Sequence, residues 1–271
     1  MPKNMVLIHG AWLASNSWED FASSFTERGY AVTAPEWPRK APDVEGQREH
    51  GDDIAGLGVE EIVDHYAGII GALDEPPVIV GHSFGGLFTE MLLDRGLGVA
   101  GVALEPAPFK GILRLEPSEL KAAGPALNHP LHRHGVVPLT LEEFTYAFTN
   151  TWDEDEAKQA YERFAVPESA RILFQGGFAN FALHPATKLD YKKSDRAPLL
   201  ITAGEHDNTV PKGVAHDAYK KYEGNGAITD FVEFPGRSHL LVTGPGWEEV
   251  AGYVDRWLQR VGAAAATAAV A

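Results

Sequence analysis

Short apolar runs and amphipathic stretches take turns along the first hundred residues of this chain. Met5-Val6-Leu7-Ile8, Tyr30 to Ala34, Val78-Ile79-Val80 and Val99 to Leu104 have the length and side chains of buried strands. The stretches between them carry helical spacing instead. Trp18, Phe21 and Phe25 share one face, with Ser17 and Asp20 placed to cap its start. Val59, Ile62, Val63, Tyr66, Ile69, Ile70 and Leu73 hold one apolar stripe, and Leu87, Phe88, Met91 and Leu92 open another helix. After Ala197 the alternation resumes, with strands at Pro198 to Thr202 and at Thr229 to Phe234. Val214, Ala218 and Tyr222 mark one late helix, and Trp247, Val250, Val254, Trp257, Leu258 and Val261 mark the last. Strands separated by helices predict an α/β class, with a mostly parallel sheet covered by helices on both faces.

Two segments break the pattern. Residues 35–58 are polar and rich in glycine and proline, which predicts a long loop near the site entrance. Residues 105–197 lose the alternation and hold many of the aromatics, with helices expected at Thr140 to Ala147 and Asp153 to Phe164. The expected organisation is therefore a core of residues 1–104 and 198–261, interrupted by a helical cap or lid at 105–197. The alanine-rich stretch 262–271 is expected to be a disordered tail.

Composition narrows the range of functions. A chain of 271 residues with 44% apolar content can bury one large core. The formal charge of −15 opposes binding to nucleic acid or to an anionic membrane surface. With no cysteine, disulfides and thiolate catalysis are both excluded. Met1-Pro2-Lys3-Asn4 runs straight into the first strand without the features of a signal peptide, and no apolar run approaches membrane-spanning length, so a cytoplasmic location is expected.

The chemistry sits at the strand ends. Gly81-His82-Ser83-Phe84-Gly85 lies between the run at Val78 and the helix beginning near Leu87. This is the strand-to-helix turn of a nucleophile elbow, in which flanking glycines permit close backbone approach while the serine hydroxyl faces outward. Downstream, the strand at Pro198 leads to Asp207, and the strand at Thr229 leads to His239. Ser83, Asp207 and His239 are thus candidates for nucleophile, orienting acid and general base, in the order the elbow predicts. Glu205 and Glu105 are the alternatives for the acid. His9 and His82 sit in turns and read as structural neighbours of the site. His129, His132 and His134 lie close together, but no cysteine or acidic partner at metal-site spacing accompanies them, so no metal site is assigned.

With these residues the chain resembles the α/β-hydrolases over nearly its whole length. The likeness is to a compact branch starting at the third strand of that fold, where Met5-Val6-Leu7-Ile8-His9-Gly10 precedes Ala11-Trp12. The resemblance implies an oxyanion hole made by the backbone N–H of Ala11 or Trp12 and that of Phe84. A serine at the elbow argues against the dehalogenases and epoxide hydrolases of the fold, which use aspartate there. Leu240 stands where related hydroxynitrile lyases carry a lysine, which disfavours cyanohydrin cleavage. The expected activity is hydrolysis of a carboxylic ester or lactone of small to medium apolar character through an acyl-enzyme. Trp12, Phe109, Phe144, Phe148, Phe178 and Phe181 are the expected substrate contacts. C–C bond hydrolysis, amide hydrolysis and cofactor-free perhydrolysis would use the same triad, and a binding protein without turnover is the alternative of another class. No cofactor is implied, and the expected partner is a small apolar molecule.

Overall fold

A computed structural model of the protein describes residues 4–128 and 130–270, with side chains through Gly262. The chain enters along β1 (Asn4–Ile8), passes through α1 (Glu19–Glu27) to β2 (Ala31–Thr33), and then through α2 (Val44–Glu49) and α3 (Val59–Gly71) to β3 (Val78–His82). Helix α4 (Phe84–Asp94) and strand β4 (Ala100–Leu104) follow. An insertion then carries α5 (Pro117–Leu127), β5 (Val136–Val137), α6 (Leu141–Phe148), α7 (Glu154–Phe164), β6 (Glu168–Ser169) and α8 (Ala170–Gly177). Strand β7 (Leu199–Gly204), helix α9 (Lys212–Lys221), strand β8 (Thr229–Phe234) and helix α10 (Trp247–Val270) complete the chain.

The six long strands form one sheet in the order β2-β1-β3-β4-β7-β8, with every neighbouring pair parallel. Parallel strands are buried on both faces, which is why β3, β4 and β7 read as unbroken apolar runs in the sequence. Right-handed crossovers place α3, α4 and α9 on one face and α1 on the other, where α1 meets α10. Phe21 of α1 packs 6.2 Å from Trp247 of α10, ring centre to ring centre. On the opposite face α4 lies against β1, β3 and β4. Its burial is complete from Phe84 to Leu93, so the helix after the elbow is a core element rather than an amphipathic surface one.

Local chemistry departs from expectation in four places. Ser17 does not cap α1: it lies in a 3-10 turn, its hydroxyl donates to the Ala14 carbonyl at 2.8 Å, and Asp20 accepts from Thr243 instead. The segment 35–58 holds the short helix α2, started by Asp43, whose side chain accepts from the Gly46 N–H at 2.8 Å. Helix α10 does not stop at Val261 but continues in backbone to Val270, as a run of alanine, the strongest helix former, favours. The insertion also carries an unexpected antiparallel ribbon, β5 with β6. Among the described residues no helix is long and apolar enough to cross a membrane.

The tightest packing in the sheet lies where β3 meets α4. A Cβ on Gly81 would collide with the backbone of Gly85, and a Cβ on Gly85 would collide with the carbonyl oxygens of Ile8 and His9 on the neighbouring strand. Gly85→Ala should therefore lower stability by about 3 kcal/mol or more, because backbone cannot yield as a side chain can. Urea unfolding followed by circular dichroism checks this, and an unchanged midpoint would contradict it.

Candidate active site

Ser83 occupies the bend between β3 and α4 with φ 56° and ψ −120°, a conformation that costs about 1–3 kcal/mol for a residue with a side chain. The surroundings hold it there. Its N–H donates to the Leu104 carbonyl at 2.9 Å, and its own carbonyl accepts from Ala107 at 3.0 Å and Leu87 at 3.1 Å. Trp12, Ser83 and Glu105 all have left-handed backbone, at φ 61°, 56° and 48°. They follow β1, β3 and β4, which are neighbours in the sheet. The strained residues thus gather beyond the carboxyl ends of the strands, where open α/β sheets bind ligands.

The loops after β7 and β8 bring Asp207 and His239 together. Nδ1 of His239 lies 2.7 Å from Oδ2 of Asp207, both side chains being fully buried. The other carboxylate oxygen of Asp207 accepts from the N–H groups of Thr209 at 2.7 Å and Val210 at 2.8 Å. A carboxylate acceptor fixes the proton of neutral His239 on Nδ1 and leaves a lone pair on Nε2. That atom is buried and has no hydrogen-bond partner among the described residues. His239 packs against the elbow: its ring centre lies 4.7 Å from that of His82, and its carbonyl oxygen lies 2.7 Å from His82 Nε2. A carbonyl only accepts, so Nε2 is the protonated nitrogen of His82. Burial, with the neighbouring His239 adding to it, pushes His82 well below the ordinary histidine range.

Glu105 stands beside this pair. Its Oε2 lies 3.5 Å from His239 Nδ1 and 3.8 Å from His82 Nε2. Burial, followed by repulsion from Asp207, raises its carboxyl well above the usual range, whereas Asp207 accepts three hydrogen bonds. Glu205, the other alternative acid, is solvent-exposed and accepts from the Gly236 N–H. His9 is a structural neighbour: it stacks on Trp37 at 4.8 Å, and its two ring nitrogens lie 2.8 Å from the Gly10 carbonyl and 3.1 Å from Glu36.

The loop after β1 separates the two oxyanion donors expected there. The Trp12 N–H already donates to Glu168 Oε2 at 3.3 Å, whereas the Ala11 N–H makes no hydrogen bond among the described residues. Phe84 is the first residue of α4, where an N–H has no carbonyl one turn earlier and the helix end favours negative charge. Ala11, Ser83 and Phe84 open on a cavity of about 300 Å3 whose wall is mostly apolar. Trp12, Phe109, Phe148, Phe178 and Phe181 line it. Phe144 does not. It is fully buried behind Phe148, stacked at 4.9 Å, and it fills the interior of the insertion. Phe178 at 48% and Phe181 at 85% exposure mark the cavity mouth. Sequence patterning missed Glu119, Thr209 and Val210, which also line the cavity. Burial raises Glu119 to about 7, with Glu116 and Asp207 adding to the rise against one backbone hydrogen bond.

Among the described residues His82, Glu105 and His239 form the one group whose ligand atoms could surround a cation, all lying within 4.8 Å of one another. Two of those atoms are spent within the site, since His239 Nδ1 holds Asp207 and His82 Nε2 holds the His239 carbonyl. His129 lies outside the described residues, and His132 and His134 are exposed.

A parallel sheet with a strained serine elbow and a buried Asp–His pair on the next strand loops defines a protein of α/β-hydrolase type. Residues 5–253 match the model of the alpha/beta hydrolase family, and the chain belongs to that family. It is 26% identical over 141 residues to a secreted triacylglycerol lipase of Malassezia restricta, a match covering 52% of this chain and 28% of that lipase. Among solved structures, a monoacylglycerol lipase of Paleococcus ferrophilus superposes with a TM-score of 0.70 at 22% identity, covering 96% of both chains. A pyrethroid hydrolase of Sphingobium faniae superposes with a TM-score of 0.67 at 19% identity, covering 95% of this chain and 97% of that one.

Glu105 gives the site a pH signature in stability. A carboxyl raised in the folded state stabilises fully below its unfolded range, and that stability is lost as pH climbs toward the folded value. Glu105→Gln should therefore flatten the decline of stability as pH rises above the unfolded carboxyl range. Urea midpoints across that rise test it, and identical pH slopes for variant and wild type would contradict it.

Proposed function

We propose that the protein is a serine hydrolase that cleaves a carboxylic ester or lactone of small to medium apolar character through an acyl-enzyme on Ser83. The observation that carries the reading is the 2.7 Å contact of Asp207 with His239 Nδ1, which leaves Nε2 unpaired to act as a base, together with the elbow serine in the wall of an apolar cavity. Ser83 Oγ attacks the carbonyl carbon while His239 Nε2 takes its proton. Negative charge on the former carbonyl oxygen is met by the N–H groups of Ala11 and Phe84. Collapse of that intermediate returns the proton from His239 to the departing alcohol oxygen. Water then repeats the sequence on the acyl group, with His239 again the base, and frees the acid and Ser83.

The insertion serves as a cap whose aromatic residues receive the acyl or alcohol group. The lipases similar to this chain support ester chemistry. The modest cavity favours short to medium acyl chains.

p-Nitrophenyl esters from C2 to C12 test this directly. Ser83→Ala should lose roughly 10⁴- to 10⁶-fold in kcat. Turnover that persists in the variant would overturn the serine mechanism. Binding of the esters without turnover in either protein would favour a ligand-binding role. Asp207→Asn should cost about 10⁴-fold in kcat, because an amide donor would impose the wrong tautomer on His239. Near-normal activity of that variant, with loss in Glu105→Gln, would move the orienting acid to Glu105.

A further inference from the structure

Lys40 and Glu168 form a buried ion pair that the reaction sequence leaves unused. Their side chains are 1% and 0% exposed, and Lys40 Nζ lies 2.9 Å from Glu168 Oε2. Removing two charges from water is costly, and a hydrophobic pair would serve packing as well. The pair's other contacts show what it holds. Glu168 Oε2 also accepts from the Trp12 N–H at 3.3 Å, and Oε1 accepts from the Ser169 N–H at 2.8 Å. Lys40 also donates to the Leu13 carbonyl at 3.1 Å and lies over the Trp37 ring, 4.7 Å from its centre. The insertion grips Trp12 twice more. The Val166 N–H donates to the Trp12 carbonyl at 3.0 Å, and the Trp12 indole donates to the Val137 carbonyl at 2.9 Å.

Four of these contacts fall on Trp12 and Leu13, the stretch beside the Ala11 N–H. Trp12 sits at φ 61°, a backbone state that persists only where the surroundings impose it. On the other side of Ala11, Gly10 is pressed against the elbow so closely that a Cβ there would lie 2.9 Å from Ser83 Cβ. The Ala11 donor is therefore confined between a fixed Gly10 and a fixed Trp12.

We propose that Glu168, held in place by Lys40, is a positioning residue: by accepting the Trp12 N–H it locks the loop after β1 so that the Ala11 N–H stands ready for the oxyanion. This rests on the acyl-transfer reading given above. The role makes the insertion a part of the chemistry as well as a wall of the cavity. It needs an acceptor at residue 168 and not a charge as such, since the Lys40 ammonium balances the carboxylate.

Two double variants separate the acceptor from the charge. K40M/E168L removes both charges and the acceptor, whereas K40M/E168Q removes both charges and keeps a carbonyl oxygen for Trp12. With p-nitrophenyl butyrate, K40M/E168L should lose about tenfold to a hundredfold in kcat with little change in KM, as expected when a reacting group is misplaced by about 1 Å. Inhibition by butylboronic acid, whose tetrahedral adduct with Ser83 places oxygen in the oxyanion hole, should weaken by the same factor. K40M/E168Q should recover most of both losses. A merely structural role would lower thermal stability without splitting kcat from KM. Equal kcat and equal boronate inhibition in the two double variants would overturn the proposal. Should K40M/E168L fail to fold, amide exchange at Trp12 in the wild type decides: protection like that of β1 is expected, and free exchange would overturn the proposal. Ser83→Ala is run beside them. If it keeps wild-type turnover, the acyl-transfer reading itself fails, whereas loss of turnover there with unaltered double variants removes only the role of Glu168.

Discussion

The contact on which the rest of the molecule depends is the near touching of backbone where β3 turns into α4. Gly81 and Gly85 have no side chains to keep the two elements apart, and the neighbouring strand β1 presses its carbonyls against the same spot. That closeness goes with the φ of 56° at Ser83, which stands in the cavity wall. It also brings the loop after β1 against the elbow through Gly10. One packing constraint thus sets Ser83 and the adjacent backbone together. Helix α4, buried from Phe84 to Leu93, supplies the burial that offsets the strain.

Three buried acids surround this point, and each is kept by a different device. Asp207 is satisfied by two backbone N–H groups and His239. Burial, with repulsion from Asp207 adding to it, raises the Glu105 carboxyl against a backbone hydrogen bond from Gly204. Glu168 is balanced by Lys40 and two N–H groups. Low dielectric makes an unpaired buried charge costly, so each carboxyl depends on the partners its surroundings supply. Asp207 holds His239 Nδ1 at 2.7 Å, whereas the Glu105 oxygen stands farther off at 3.5 Å.

Much of this was legible in the chain because it is local. The strands of a parallel sheet are continuous apolar runs, the elbow is five consecutive residues, and the loops bearing Asp207 and His239 begin where apolar runs end. What was not legible depends on residues far apart in sequence. Phe144 and Phe148 lie on one helix, yet only the packing of the insertion decides that Phe148 faces the cavity while Phe144 fills the space behind it. The choice between Ala11 and Trp12 turns on a hydrogen bond to a residue 156 positions away. Lys40 and Glu168 are 128 positions apart, and neither lies in a motif that would mark it. Ser17 looked like a helix cap because the spacing fits, but the preceding turn took its hydroxyl first.

The most direct test of the central claim is active-site labelling with a fluorophosphonate, followed by peptide mass spectrometry. An elbow serine activated by His239 should carry a single stoichiometric adduct on Ser83, and neither Ser83→Ala nor His239→Ala should be labelled at a comparable rate. An intact, folded protein that takes no label, or takes it at another residue, would contradict the account.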